Sequence, residues 1–144
     1  MRTDTRITFA DAASFARLIA PLASVPRIAR CQSRRIRHTD GLIWVAMLVD
    51  GEVVAFSGST VSDDGEAFHR YLYAPDMRTY AALVSARDEA VTDAGAERAT
   101  VVCRASRIAT LRAAGYQMIG EQDLDGGVAT MAIRYVAAEM RMAA

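Results

Sequence analysis

One stretch constrains the fold of this 144-residue chain more than any other: GLIWVAMLVDGEVVAFSGSTVS, residues 41–62. Two runs rich in β-branched and aromatic residues flank the dipeptide Asp-Gly at 50–51, which strongly favours a tight hairpin turn. The sequence DDG at 63–65 turns the chain again, into EAFHRYLYA. We therefore predict a three-strand antiparallel meander over roughly Leu42 to Ala74.

Other elements are predicted on both sides of this meander. RITFADAASFARLIAPL predicts a short strand, an N-cap at Asp11 and a helix, and VPRIARCQSRRIR, residues 25–37, predicts a second, basic helix. Residues 78–94 have helical periodicity and are followed by Gly95, a residue favoured just beyond a helix C-terminus. ERATVVC then predicts a buried strand, SRIATLRAAG a short helix, and YQMIGEQDL and VATMAIRYV two last strands.

Length and composition indicate a single domain, residues 1–144, because a chain of this size with 52% hydrophobic residues can build one core but not two. The longest apolar run, residues 42–49, is far too short to span a membrane, and acidic residues stand where a signal peptide would be apolar. Cys31 and Cys103 are isolated, so neither a metal site nor a disulfide framework is predicted. We expect a soluble, cytoplasmic protein without a membrane partner.

Charge is unevenly distributed along this formally neutral chain. Residues 1–39 contain eight Arg and two Asp, whereas residues 40–144 contain nine Arg and fifteen acids. No acid lies between Asp11 and Asp40, although this interval holds a cluster of five arginines: Arg27, Arg30, Arg34, Arg35 and Arg37. Such a cluster is usually a solvated surface. The alternative is a surface for an acidic or phosphorylated acceptor, a nucleic-acid backbone or an acidic protein.

The predicted order of elements is strand, helix, helix, three-strand meander, helix, strand, helix and two strands. In this order the chain resembles the GNAT superfamily of acyl-CoA N-acyltransferases over nearly its whole length. WVAMLVDGEVVAFSG resembles the second and third strands of that family, RYLYAPDMR its fourth strand with a Pro-x-x-Arg step, and LRAAGYQMIG its short helix ending in a glycine and an aromatic. The resemblance implies an α+β fold with a mixed sheet of about seven strands, and transfer of an acyl group from acetyl-CoA or another acyl-CoA to an amine.

The phosphate-binding motif departs from that family. There, Arg/Gln-x-x-Gly-x-Gly/Ala follows the fourth strand, and its backbone amides wrap the CoA pyrophosphate at a helix N-terminus. Arg78 stands where the family has its arginine, but Thr79, Tyr80, Ala81 and Ala82 replace the glycine region. We therefore predict a narrower cradle, crowded by Thr79 and Tyr80, in which CoA binding would depend on Arg78 and the helix N-terminal amides.

The resemblance also implies where the rest of the donor would lie. Its pantetheine arm would follow the backbone of the fourth strand, at Tyr71, Leu72, Tyr73 and Ala74. Many family members carry a tyrosine four residues before the glycine of the short helix, where it protonates the departing CoA thiolate. Counting back from Gly115 gives Leu111, so this donor is absent. Tyr116 is expected to pack in the core.

Two residues are candidate bases for deprotonating the acceptor amine. His69 occupies a strand position at which the family often carries a glutamate, and an imidazole titrates near neutrality. Glu66 is a second candidate, acting through water. The alternative interpretation is that His69 and Arg70 merely occupy alternate faces of a strand. His38 is expected to be solvated in a polar linker.

Two functional hypotheses remain open at this stage. In the first, the chain is an acyl-CoA N-acyltransferase with an atypical phosphate loop. In the second, it keeps the fold without CoA chemistry and is a structural, regulatory or binding module, within an assembly or as a homodimer; a variant is a transferase with another donor, as in DNA-modifying relatives. The missing glycines and tyrosine favour the second, and the intact layout favours the first. We favour the first, because membership of the family is the stronger argument. An open cleft at Arg78 would favour the first hypothesis, and a cleft filled by Tyr80 would favour the second.

Overall fold

A computed structural model of the protein describes residues 2–30, 32, 35–124 and 127–134. Its seven strands are β1 (Asp4–Phe9), β2 (Ile43–Val49), β3 (Glu52–Val61), β4 (Glu66–Tyr73), β5 (Arg98–Arg104), β6 (Gln117–Leu124) and β7 (Gly127–Arg134). Its α-helices are α1 (Ala12–Ser14), α2 (Ala20–Ala23), α3 (Pro26–Ala29), α4 (Met77–Asp93) and α5 (Ile108–Ala113).

The strands form one mixed sheet in the order β1-β2-β3-β4-β5-β7-β6. Every neighbouring pair is antiparallel except β4 and β5, which are parallel. A parallel pair requires a crossover connection, and α4 supplies it. The predicted α+β fold with a seven-stranded mixed sheet is confirmed.

The predicted meander corresponds to β2, β3 and β4. Asp50 and Gly51 have φ angles of +49° and +84°, as the two central residues of a type I′ hairpin turn require. Further along β3, Gly58 lies against the ring of Trp44, where a Cβ atom would come within 2.7 Å of it. The absence of a side chain at position 58 therefore lets this fully buried indole lie flat against the sheet.

The first predicted helix is interrupted. Asp11 caps α1 by accepting a hydrogen bond from the Ser14 amide at 2.8 Å, and Phe15–Ile19 continues as a π-helical turn in which the Ala20 amide bonds the Phe15 carbonyl. Pro21 follows directly and has no amide hydrogen for a regular helical ladder. The chain then resumes as α2.

The prediction of a second helix over residues 25–37 was wrong, because α3 ends at Ala29 and residues 35–39 have neither helical nor strand structure. Contacts with the sheet explain the difference. Ile36 packs on the core beneath α1–α3, and the side chains of Gln32 and His38 form hydrogen bonds with β4 and β2. His38, expected to be solvated, is half-buried and accepts from the Trp44 indole at 3.0 Å.

Helices cover both faces of the sheet. On one face, α2 and α3 pack with the alternate β2 residues Trp44, Ala46 and Leu48. On the other face, α4 packs with Val45 and Ala55, because successive residues of a strand point to opposite sides. Within the described residues, no helix is long and apolar enough to cross a membrane.

Candidate functional site

Strands β4 and β5 separate along their length. They pair with each other in parallel only over Glu66–Phe68 and Arg98–Thr100. Beyond these residues β4 continues to Tyr73 and β5 to Arg104 without further pairing between the two strands. Ser59 is opposite His69, but the next residue along β3, Gly58, is opposite Tyr71. The register between β3 and β4 therefore shifts at this point and skips Arg70. Arg70 is thus the extra residue of a β-bulge, a feature that bends a strand. A wedge-shaped gap opens between the last halves of β4 and β5.

Tyr80, in the first turns of α4, packs against both sides of this gap. Its side chain is buried, and its ring shares a cluster with Leu72 of β4, with Ala74 just after that strand, and with Val101 and Cys103 of β5. The guanidinium of Arg107 lies 4.1 Å from the centre of the Tyr80 ring, in the geometry of a cation–π contact. The strands are therefore splayed, and a tyrosine ring packs against both of them.

The N-terminus of α4 is capped by its own carboxylate. Only three residues, 74–76, connect the end of β4 to the start of α4, so that Arg78 already belongs to the first helical turn. Asp76 accepts from the Thr79 amide at 2.7 Å through its side chain and from the Tyr80 amide at 3.0 Å through its carbonyl. The hydrogen bond from Thr79 lowers the pKa of Asp76. An anionic group thus already occupies this helix N-terminus.

The other predicted phosphate-binding residues lie at the surface around this cap. Arg78 is exposed, and it lines a pocket of about 370 Å³ with Arg2, Thr79 and Ala82. Ala81 is exposed and lines a separate groove between α4 and α5. The structure therefore distributes the predicted set over two sides of α4, while Tyr80 alone points into the core.

The backbone edge of β4 at the gap also has an internal partner. The side-chain amide of Gln32 donates to the Leu72 carbonyl at 3.0 Å. One residue earlier in the strand, the Tyr71 hydroxyl donates to the Arg35 carbonyl at 3.3 Å. Gln32 and Arg35 therefore contact the end of β4, where the resemblance places the pantetheine arm. Tyr73 is half-buried and packs with Phe56 under the first helices.

His69 lies at the narrow end of the gap, within a buried polar network. Its side chain is 1% exposed. Nδ1 lies 2.8 Å from the Ser59 hydroxyl and Nε2 lies 3.2 Å from the Tyr116 hydroxyl. Tyr116 in turn donates to Asp88 at 2.6 Å. These contacts are mutually consistent if His69 is neutral with its proton on Nε2, since Tyr116 then accepts from His69 and Ser59 donates to Nδ1.

Burial and charge keep His69 neutral. Burial lowers the pKa of His69 to about 4, and the nearby Arg87 guanidinium acts in the same direction. For Asp88, burial alone would raise the pKa, but hydrogen bonding by His69 and Tyr116 and the charge of Arg87 together lower it. Burial, followed by the Asp88 charge, raises the pKa of Tyr116. The network therefore contains one buried cation, Arg87, and one buried anion, Asp88, each about 1–4% exposed.

Glu66 lies at the paired end of β4, away from the gap. Its carboxylate accepts hydrogen bonds from the Arg98 guanidinium and, at 2.5 Å, from the Thr100 hydroxyl. Arg98 also reaches Asp64 at 3.3 Å. The roles of His69 and Glu66 as bases stay predictions. Their surroundings favour the alternative interpretation of His69 as a strand residue, because both of its ring nitrogens contact buried side chains.

Sequence reasoning missed the charged pair on the inner side of α4. Arg87 and Asp88 continue the stripe formed by Tyr80, Val84 and Val91, all buried, at helical spacings of three and four residues. This periodicity was the available signal: two charged residues at inward positions of an amphipathic helix must find partners in the core. The predicted core position of Tyr116 is confirmed, since it is 3% exposed.

The described arginines of the cluster lie outside this gap, on the surface. Arg27, Arg30, Arg35 and Arg37 are exposed, while Arg34 lies outside the described residues. Among the described residues, no carboxylate forms an ion pair with Arg30, Arg35 or Arg37. Among the described residues between Arg30 and Arg37, Gln32 reaches the gap, where it bonds the Leu72 carbonyl.

Comparison with known proteins agrees with this architecture. No protein-family model matches the chain, and no curated protein matches its sequence. Among solved structures, a proposed N-acetyltransferase from Lactobacillus plantarum superposes with a TM-score of 0.73 at 16% identity, covering 91% of this chain and 97% of the other. Escherichia coli ElaA gives 0.67 at 15% identity, with 93% and 99% covered. Aminoglycoside acetyltransferase AAC(6')-Ib, in complex with coenzyme A and kanamycin, gives 0.65 at 14% identity, with 99% and 100% covered.

These likenesses and the sheet topology show that the chain has the fold of the GNAT N-acyltransferases, as the resemblance predicted. The identities are low, so the likeness concerns the fold and not the chemistry. The cofactor implied by the fold can be compared with the residues present. The Tyr80 ring packs against both splayed strands, the Asp76 carboxylate bonds an amide at the helix N-terminus, and Gln32 bonds the Leu72 carbonyl. Each of these three positions, which the resemblance assigns to CoA, therefore already has a partner within the described residues.

Proposed function

We propose that this GNAT-fold protein does not transfer acyl groups from CoA through the gap between β4 and β5, and that it is a binding module built on the fold. The observation that carries the proposal is the burial of the Tyr80 ring against both separated strands, from which we infer that it takes up the space at the gap. A pantetheine arm and a tyrosine ring cannot share that space, because protein interiors are close-packed. The role of the fold is then to present a surface.

Two further contacts support the proposal. CoA pyrophosphate would compete with Asp76 for the Thr79 amide, and the displaced carboxylate would remain beside it as a like charge. Pantetheine would also have to displace Gln32 from the Leu72 carbonyl. Each exchange replaces an intramolecular hydrogen bond by an intermolecular one and thus adds no new bond.

The second candidate function is acyl-CoA-dependent N-acyl transfer, and the separation of β4 and β5 specifically favours it. The two strands part after three residue pairs, and Arg70 forms a bulge there, although a purely structural sheet would gain hydrogen bonds by continuing. This candidate requires Tyr80 to rotate away from Leu72 and Val101, and Arg107 to leave its ring. The acceptor amine would then approach from the side of Gln32 and Tyr71.

Titration calorimetry with acetyl-CoA and with CoA tests the proposal. We expect no binding to the parent protein in the micromolar range, which corresponds to about 8 kcal/mol of binding free energy. Tyr80→Ala removes the ring and should bind CoA, whereas Tyr80→Phe retains it and should behave as the parent. Tyr80→Leu is the fallback if the alanine variant does not fold. Micromolar binding by the parent, with release of free CoA when amines are added, would overturn the proposal in favour of the second candidate.

A further inference from the structure

The described part of the arginine cluster is a surface held in a fixed shape. Arg27 and Arg30 are three residues apart across α3, and thus on one side of it. Arg35 and Arg37 are two residues apart in a segment without helix, with Ile36 packed inward between them. We call these four exposed residues the basic surface. We propose that the basic surface binds nucleic acid through its phosphate backbone.

The inner side of the segment anchors the basic surface to the core. Ile28 of α3 is 1% exposed and packs into the core. Gln32, the Arg35 carbonyl and the His38 ring form hydrogen bonds with Leu72, Tyr71 and Trp44 respectively. Because these residues are held against the sheet, Arg35 and its described neighbours are ordered before binding, which lowers the entropic cost of binding.

Most of the charge of this surface is not neutralised locally. Residues 12–39 contain six arginines and no acid. Among the described residues, no carboxylate forms an ion pair with Arg30, Arg35 or Arg37. At physiological salt, the field of exposed charges extends about 8 Å, so neighbouring arginines of the surface act together on an approaching anion.

The chemistry of the surface favours phosphates over an acidic protein. The guanidinium group matches phosphate and carboxylate oxygens alike in a two-pronged geometry, so the distinction comes from the surroundings of the arginines. Protein interfaces usually require buried apolar or aromatic anchors, but the large hydrophobic residues that the structure finds exposed lie elsewhere: Ile7, Met77, Val102, Met118 and Ile119. A surface of arginines without an apolar centre suits backbone contacts, which carry no sequence preference.

This inference is independent of the proposed function, since the basic surface contacts nucleic acid whether or not CoA binds between β4 and β5. The test is fluorescence anisotropy of a labelled mixed-sequence DNA duplex with the full chain. Four phosphate contacts at ~0.9 counterions each predict that affinity falls roughly a hundred-fold between about 50 mM and about 200 mM salt. In the triple variant Arg30→Gln, Arg35→Gln, Arg37→Gln, the slope of log affinity against log salt concentration should be less steep by about 2.7.

A double variant, Arg104→Gln with Arg112→Gln, controls for charge alone, because both arginines are exposed but lie on β5 and α5. It should bind nearly as the parent does. Circular dichroism of the triple variant verifies that it is folded. Equal losses in the triple and control variants would overturn the proposal, as would an absence of binding at low salt. Polyglutamate that competes as effectively as DNA would also overturn it, because the surface would then be a general anion surface or a site for an acidic protein.

Discussion

The hydroxyl of Tyr116 donates a 2.6 Å hydrogen bond to the buried carboxylate of Asp88. Tyr116 directly precedes β6 and Asp88 lies in the middle of α4, so this bond joins the far half of the sheet to the helix that crosses the gap. The same hydroxyl lies 3.2 Å from His69 of β4 and 3.4 Å from Arg87. One phenol thus connects three other side chains at the point where β4 and β5 separate, and where sheet hydrogen bonds no longer join the two strands.

The first prediction concerns this phenol. Tyr116→Phe keeps the ring but removes the donor to Asp88 and the acceptor for His69, which leaves a buried carboxylate short of a partner. We expect the free energy of unfolding to fall by about 1–3 kcal/mol, as measured by urea denaturation. Tyr71→Phe is the matched control, since it removes only the longer bond to the Arg35 carbonyl and should change stability by no more than about 0.5 kcal/mol. Equal effects of the two substitutions would show that the buried network contributes little.

The second prediction concerns acid. The pKa of His69 falls from 6.5 in a solvated chain to about 4 in the fold. Between these values the unfolded chain binds more protons than the folded protein, so stability falls as the pH decreases from about 6.5 to about 4. The full loss is about 3 kcal/mol, at ~1.36 kcal/mol per pH unit. Because the pKa of Asp88 is lowered, its own contribution is lost only at still lower pH.

Urea midpoints measured across this pH range test the linkage. His69→Gln removes the titrating group and should flatten the dependence, although it lowers stability overall. His38→Gln is the control, because His38 is only half-buried and bonded to Trp44, and the parent's dependence should persist in it. If the urea midpoint of His69→Gln depends on pH as steeply as that of the parent, other groups cause the acid sensitivity.

Local patterns were sufficient to predict most of the individual elements, and the resemblance supplied the mixed sheet that joins them. The turn at Asp50-Gly51, the β-branched and aromatic runs of β2 and β3 and the helical spacing of α4 are properties of short segments. The end of α3 was not predictable in this way. It depends on the hydrogen bond from Gln32 to Leu72, two residues 40 positions apart, and no local propensity contains that contact.

The candidate site was predicted only in part, because the missing part likewise depends on contacts between distant residues. The sequence identified Tyr80 as an obstacle in the phosphate loop, whereas in the structure its ring packs in the core against both separated strands. The difference follows from where α4 begins: with Asp76 as its N-cap, the helix starts at Met77 and turns Tyr80 inward. The pairing of Arg87 and Asp88 with His69 and Tyr116 joins three distant segments and could not be read from any one of them.

The third prediction concerns packing on β3. In Gly58→Ala, the new Cβ atom would lie 2.7 Å from the Trp44 ring, which is fully buried and stacked on Tyr71 at 5.7 Å. Because the indole cannot move freely, we expect a loss of about 1–3 kcal/mol in the free energy of unfolding, together with a change in tryptophan fluorescence. Gly120→Ala is the control, since no atom lies within 4 Å of the added carbon. Unchanged stability and fluorescence in Gly58→Ala would mean that the sheet absorbs the methyl group.

The last prediction concerns the cap of α4. Asp76→Ala removes the carboxylate that bonds the Thr79 amide, which should lower the melting temperature because the helix loses its N-cap. It also frees the helix N-terminus beside Arg78, where an external anion becomes favourable. We therefore expect inorganic pyrophosphate to raise the melting temperature of Asp76→Ala more than that of the parent. Asp11→Ala removes the equivalent cap of α1, a helix too short to offer such a site, and should lose stability without responding to pyrophosphate. If the anion stabilises the parent and Asp76→Ala equally, the carboxylate is not a substitute for a bound phosphate.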